Sequence, residues 1–310
     1  MMELSSNSKT ERVREVESAN EVAEAASKKQ VKRGTVNSVD GTAINYRQIG
    51  SGPGLIVLHG TMESGQSHME LAEALADSFT VYLPDRREFS LGYPFARDYD
   101  VGKEVEDVEA LQTKTGSCYV FGVSSGAIVC LQAALSLRSI TRAAVYEPPL
   151  AIDRKQVSNA LRKADNEMAN GDVAGVLITG MKAAKMGPLF MRLIPDRVLK
   201  YFFNKQSKNQ GGKSFMSEMA KNLHYDFEIV AETAGKFEDY ARVKSEVLLL
   251  GGSKSPSYLK QGLKKLEKVL PRSKRIEFPG LDHGGSSDPS PYNRHGNPKI
   301  VAQELRRFFA

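Results

Sequence analysis

Short unbroken apolar runs and longer amphipathic stretches take turns along most of this chain. Residues 55–58, 80–83, 118–121, 143–146 and 247–250 are strand-length runs rich in Val, Leu, Ile, Tyr and Phe. Runs of this kind predict strands buried on both faces, as in a parallel sheet covered by helices. Between them, residues 69–76, 103–113, 127–137, 258–270 and 298–309 read as helices, and one more strand is expected near 275–278. Strands alternating with helices argue for crossover connections and a mostly parallel sheet. Ahead of them, 35–39 and 43–49 alternate polar and apolar positions around Asp40-Gly41. That pattern predicts an N-terminal antiparallel hairpin.

From 150 to 240 the strand rhythm stops. The segment reads as helices with breaks at Gly171, Gly175, Gly187-Pro188, Pro195 and Gly211-Gly212. It holds Met168, Met181, Met186, Met191, Met216 and Met219, six of the ten methionines, which are expected mainly to fill its own small core. The expected layout is a tail over 1–33, a core domain over 34–149, a helical cap over 150–240 and the rest of the core over 241–310. The tail is polar with a thin apolar stripe, which fits a marginal helix or a disordered segment.

Composition narrows the classes. The 310 residues carry a net charge of +6, with basic and acidic residues mostly interleaved as on a solvated surface. Trp is absent and no basic–aromatic stripe or zinc-finger spacing occurs, so nucleic acid is not an expected partner. No metal or cofactor is expected either. His68, His224 and His295 lack metal-ligand spacing and read as surface or cap residues. Cys118 and Cys130 sit in apolar runs and read as reduced, buried core thiols. No apolar run reaches the length of a membrane span, and no signal-like segment opens the chain. The expected location is the cytoplasm.

The chemistry concentrates at Gly122-Val123-Ser124-Ser125-Gly126, which reads G-x-S-x-G. It lies between a β-prone run and a helix-like run, the context that makes a strand–turn–helix elbow. Such a turn strains the central serine and leaves no room for side chains at the flanking glycines. The Ser124 hydroxyl would stand at the carboxyl edge of the sheet, and the Ser125 amide would open the following helix toward the reacting carbon. Asp85, Arg86 and Arg87 after the second buried strand are expected to brace their loop as a charge cluster. His59 is expected to shape its own loop by hydrogen bonding.

Four blocks carry a resemblance: 55–62, 82–87, 120–126 with 146–149, and 279–284 before the last helix. Together they resemble the α/β-hydrolase fold superfamily, most closely its single-domain, lipase- and esterase-like members with a helical cap. The resemblance spans roughly 35–309 and implies an α/β-hydrolase fold, with a mostly parallel central sheet, an N-terminal antiparallel hairpin and an inserted helical cap. It implies Ser124 as nucleophile and His283 as base. It implies an oxyanion hole from the Ser125 amide and that of Thr61 or Met62. It also implies a serine hydrolase acting on a carboxylic ester or related small acyl compound. One departure stands out. The usual acid position, after the penultimate strand, holds Ser255. Glu147, which directly ends the 143–146 run, is the preferred acid; Asp153 is the alternative, and Ser255 could orient the imidazole by its hydroxyl. A lyase using the same pocket is a rival among enzymes, and the vacant acid position keeps in view a ligand-binding or inactive homologue.

Overall fold

In the computed structural model of the chain, the described residues are 30–92, 94–185, 194–206, 210–290 and 293–310. Most of the expected tail, Met186, Met191 and Gly187-Pro188 lie outside them.

The described residues form an eight-stranded sheet. Its strands are β1 (Lys32–Asn37), β2 (Ala43–Gly50), β3 (Gly54–Leu58), β4 (Thr80–Pro84), β5 (Tyr119–Val123), β6 (Arg142–Tyr146), β7 (Glu246–Gly252) and β8 (Ser273–Phe278). They lie in the order β1-β2-β4-β3-β5-β6-β7-β8. β1 pairs antiparallel with β2, and β2 antiparallel with β4; all other pairings are parallel. The hairpin and the parallel sheet are both as expected. The hairpin's first strand starts at Lys32, earlier than position 35 and inside the segment assigned to the tail. Its residues are exposed or half-buried, so no apolar alternation marked its beginning.

The central strands are buried on both faces, and the period of two sorts their side chains. Leu55, Val57, Phe121, Val123, Ala144, Tyr146, Leu248 and Leu250 enter one apolar cluster with helices α1 (Met69–Leu75) and α9 (Pro298–Phe309). Ile56, Leu58, Val120, Ala143, Val145, Val247 and Leu249 enter the other. That second cluster is covered by α2 (Val101–Thr115), α3 (Ser125–Ser136) and α8 (Ser257–Val269). Each Leu, Ile, Val or Phe removed from water there contributes about 1.5–3 kcal/mol.

Between β6 and β7 the chain inserts α4 (Arg154–Ala169), α5 (Val173–Ala183), α6 (Asp196–Gln206) and α7 (Gln210–Thr233). Gly171 and Pro195 fall between helices as expected. Gly175 and Gly211-Gly212 do not break anything. Gly175 lies in the first turn of α5, where its N–H caps onto Asp172 Oδ1 at 2.9 Å, and α7 runs through the glycine pair. Helix propensity is a weak prior that packing overrides. Leu223, Tyr225, Ile229 and Val230 of α7 share the apolar cluster of α3. The inserted helices are therefore welded to the core on that face. Met219 is buried in this cluster, with Met168 and Met216 packed against it. Cys130 is buried as expected, whereas Cys118 is only half-buried at the start of β5. Among the described residues no helix is long and apolar enough to cross a membrane.

Candidate active site

The elbow between β5 and α3 is built on two close approaches. A Cβ on Gly122 would stand 2.3 Å from the Gly126 carbonyl oxygen, and one on Gly126 would stand 2.3 Å from the His59 carbonyl oxygen. Only glycine fits at either place. Between them Ser124 has φ 53° and ψ −119°, a strained conformation for a residue with a side chain. The turn holds because the Ser124 N–H donates to Tyr146 O at 2.9 Å, and its carbonyl accepts from Ala127 N–H at 3.0 Å. Ser124 is half-buried, and its hydroxyl has no hydrogen-bond partner among the described residues.

The same register positions the other two groups. Glu147 follows Tyr146, and its N–H donates to Leu250 O of β7 at 3.1 Å. Its φ of 51° turns the chain out of β6. The carboxylate is fully buried. Oε1 accepts from Gly252 N–H at 2.8 Å, and Oε2 lies 2.8 Å from His283 Nδ1. A carboxylate there requires the proton on Nδ1, which leaves the Nε2 lone pair free to accept one. The Tyr146 hydroxyl donates to Asp282 O at 2.7 Å and fixes the loop that carries His283. The structure thus brings Glu147 and His283 together and ties Ser124 to the residue preceding Glu147. Asp153 is elsewhere, exposed at the start of α4, where it caps Gln156 N–H at 2.7 Å. The buried Ser255 Oγ has no partner among the described residues and does not orient the imidazole.

The loop after β3 lies over the elbow: a Cβ on Gly60 would stand 3.0 Å from Ser124 Cβ. His59 is fully buried and shapes this loop as expected. Its Nε2 accepts from Arg86 N–H at 3.1 Å, so Nδ1 donates to Gly60 O at 3.0 Å. Burial, with Arg86 beside it, pushes its pKa down to about 3 and keeps it neutral. The Gly60 N–H is consumed by Glu63 Oε2 at 2.9 Å. The Thr61 and Met62 N–H groups have no acceptor among the described residues, and Met62 has a φ of 63°. These idle amides and that of Ser125 are the candidate oxyanion donors.

Glu63 and His68 were missed by sequence reasoning. His68 is not a surface or cap residue but fully buried, with Nε2 3.2 Å from Glu63 Oε2. Burial works against both charges, but each group stabilises the other. The Glu63 carboxyl falls to about 2 and the His68 imidazole is raised above its ordinary value. Ser287 donates to the second Glu63 oxygen, linking this loop to the segment after His283. The signal was a carboxylate three residues past His-Gly, with a histidine five further on; in a loop, such spacing carries no periodicity.

The charge cluster after β4 is deeper than a surface brace. Arg86 is buried; its Nε and Nη2 grip Glu104 at 3.1 and 3.0 Å, and Nη1 reaches Asp226 of α7 at 2.8 Å. The same nitrogen donates to Ser125 Oγ at 3.1 Å. Burial opposes the guanidinium charge, but Glu104, first, and Asp226 outweigh it and hold Arg86 protonated. Burial drives the Glu88 carboxyl well above the carboxylate range, which keeps it neutral beside His59. Arg87 pairs instead with Asp107 and Asp40, at 2.6 and 2.8 Å, and Arg47 holds Asp85 at 2.9 Å. No grouping of side chains suited to a metal ion occurs among the described residues.

The fold has counterparts among solved structures. A hydrolase structure from Sphaerobacter thermophilus superposes with a TM-score of 0.70 at 27% identity, covering 89% of this chain and 100% of that one. An esterase from a Rhodococcus species matches with a TM-score of 0.61 at 20% identity, covering 89% of this chain and 98% of that one. An epoxide hydrolase matches with a TM-score of 0.60 at 17% identity, over 90% of this chain and 99% of its own. At the last two identities the likeness is one of fold. A sequence model of one family matches residues 55–295, a span that holds the elbow, the loop after β3, Glu147 and His283. The chain belongs to the alpha/beta hydrolase family.

Proposed function

We propose that this protein is a serine hydrolase that cleaves a carboxylic ester or related small acyl substrate through an acyl-Ser124 intermediate. One observation carries this: a strained Ser124 in the elbow, one hydrogen bond from Tyr146, whose neighbour Glu147 holds His283 Nδ1 at 2.8 Å. Glu147, outside the usual acid position, gives the imidazole a carboxylate partner. That partner for the imidazole supports the hydrolase reading over a receptor or inactive homologue, which rested on the empty position at Ser255.

In the proposed reaction His283 Nε2 takes the Ser124 proton as Oγ attacks the carbonyl carbon. Apo hydrogen bonds between nucleophile and base are often long and tighten only with substrate bound. Glu147 stabilises the imidazolium as it forms and keeps its own proton count unchanged. The developing oxyanion is received by the Ser125 amide and by that of Thr61 or Met62. Each such donor lowers the barrier by about 3 kcal/mol in comparable sites. His283 then protonates the leaving alcohol, and water activated by the same nitrogen releases the acid. The inserted helices α4–α7 act as a cap that shapes the acyl and alcohol pockets. The test is hydrolysis of a series of p-nitrophenyl esters by wild type and Ser124→Ala. Turnover that disappears in the variant supports the proposal, and turnover at the wild-type rate in the variant refutes it.

A further inference from the structure

We propose that the Ser125 hydroxyl holds the two halves of the oxyanion hole in register, and that Asp226, on the inserted helix α7, is a positioning residue acting through it. This rests on the serine-hydrolase proposal above. A serine hydroxyl accepts two hydrogen bonds and donates one. Ser125 Oγ accepts from Thr61 Oγ1 at 3.2 Å and from Arg86 Nη1 at 3.1 Å. The same Arg86 Nη1 also donates to Asp226 Oδ1 at 2.8 Å. The two partners come from different segments, the loop after β3 and the loop after β4, and Arg86 carries the link on to the inserted helix.

The two residues joined by the Thr61–Ser125 bond are those whose amides are candidate oxyanion donors. Their side chains therefore set the spacing of their main chains. Ser125 and Asp226 are fully buried and Arg86 is nearly so, so water does not compete for these bonds. Arg86 Nη1 is shared between Ser125 and Asp226, which makes the position of α7 felt at the elbow. Glu104 grips the other face of Arg86 and would keep it in place without Asp226. Loss of Asp226 would thus let Arg86 Nη1 shift away from the Ser125 hydroxyl without dismantling the cluster. If the cluster only glued the inserted helices down, its loss would lower stability and leave turnover alone.

The experiment measures kcat, KM and melting temperature of the full chain on p-nitrophenyl acetate for Ser125→Ala, Asp226→Asn, Asp226→Ala and the Ser125→Ala/Asp226→Ala double variant. Ser125→Ala and Asp226→Ala are each expected to lower kcat about 10- to 100-fold, less than outright removal of an oxyanion donor, with KM nearly unchanged. Asp226→Asn, which keeps an oxygen toward Arg86, should recover part of the loss. The double variant should be no slower than the worse single one, because both remove the same link. A kcat within about twofold of wild type in Ser125→Ala and in the folded Asp226 variants overturns the proposal, as do losses that multiply in the double variant. If Asp226→Ala fails to fold, Ser125→Ala, which removes one oxygen atom, and Asp226→Asn decide it. Fluorophosphonate labelling of wild type, absent in Ser124→Ala, is run alongside. Labelling with unchanged variant kinetics overturns this inference alone, and no labelling of wild type overturns the serine-hydrolase proposal beneath it.

Discussion

Replacing Glu147 by glutamine keeps the shape of the side chain and removes its charge. The surroundings then dictate how the amide lies. Gly252 N–H already donates to Oε1 at 2.8 Å, so the glutamine oxygen must stay there, and its NH2 must face His283 Nδ1. That NH2 can only donate. Nδ1 must then give up its proton, the imidazole carries it on Nε2, and the nitrogen meant to deprotonate Ser124 has no lone pair. The lost charge adds to this. An imidazolium and a carboxylate about 4 Å apart between charge centres attract by about 4 kcal/mol at an effective dielectric of about 20, a factor on the order of 10³ in rate. Glu147→Gln should therefore lower kcat for p-nitrophenyl acetate on the order of 10²–10⁴-fold, with circular dichroism and melting temperature close to wild type. Glu147→Ala should also lose stability, by about 1–3 kcal/mol, because it strands the buried Gly252 N–H. Asp153→Asn should leave kcat unchanged, since asparagine caps α4 as well as aspartate does. A folded Glu147→Gln within about tenfold of wild-type kcat would refute Glu147 as the acid.

The buried Glu63–His68 pair should give stability a pH signature. The folded Glu63 pKa of about 2 lies below the ordinary 4.5, so its contribution, at most about 3 kcal/mol, is present above pH 4.5 and lost as pH falls toward 2. His68 is raised above 6.5, so its contribution is full below that and fades as pH rises through its folded value. Glu63→Gln should flatten the melting-temperature profile between pH 2 and 4.5; an unchanged profile would show that the pair contributes nothing. Burial also pushes the Cys130 thiol up. Ellman's reagent should therefore react with half-buried Cys118 in the native protein and with Cys130 only after unfolding in guanidinium. Equal native rates for the two thiols would contradict the packing of α3 described here.

What could be read from the sequence followed from local patterns. The central strands were legible because both their faces are buried and their runs unbroken; helix α9 was legible at its observed bounds, from Pro298 to Phe309. Glu147 was legible because it directly ends β6, and the parallel register with β5 and β7 carries it to the carboxyl edge beside His283. What escaped depends on distance along the chain. Arg86 and Asp226 are 140 residues apart, and no local feature pairs them. Ser125 was read for its amide, and its hydroxyl, with partners in two other segments, gave no sign of its bonds. His68 looked like a surface residue because its burial depends on a carboxylate in an irregular loop. Gly211 and Gly212 read as a break because glycine disfavours helix in isolation, yet α7 continues through them.

The most direct measurement is peptide mass spectrometry of the protein after reaction with a fluorophosphonate probe. The probe phosphorylates a serine only where a base activates it and amides receive the phosphoryl oxygen. A single adduct on the peptide holding Gly122–Gly126, localised to Ser124 and lost in both Ser124→Ala and heat-denatured protein, is the predicted result. No adduct on the native protein, or an adduct on another serine that persists in Ser124→Ala, would contradict a nucleophilic Ser124.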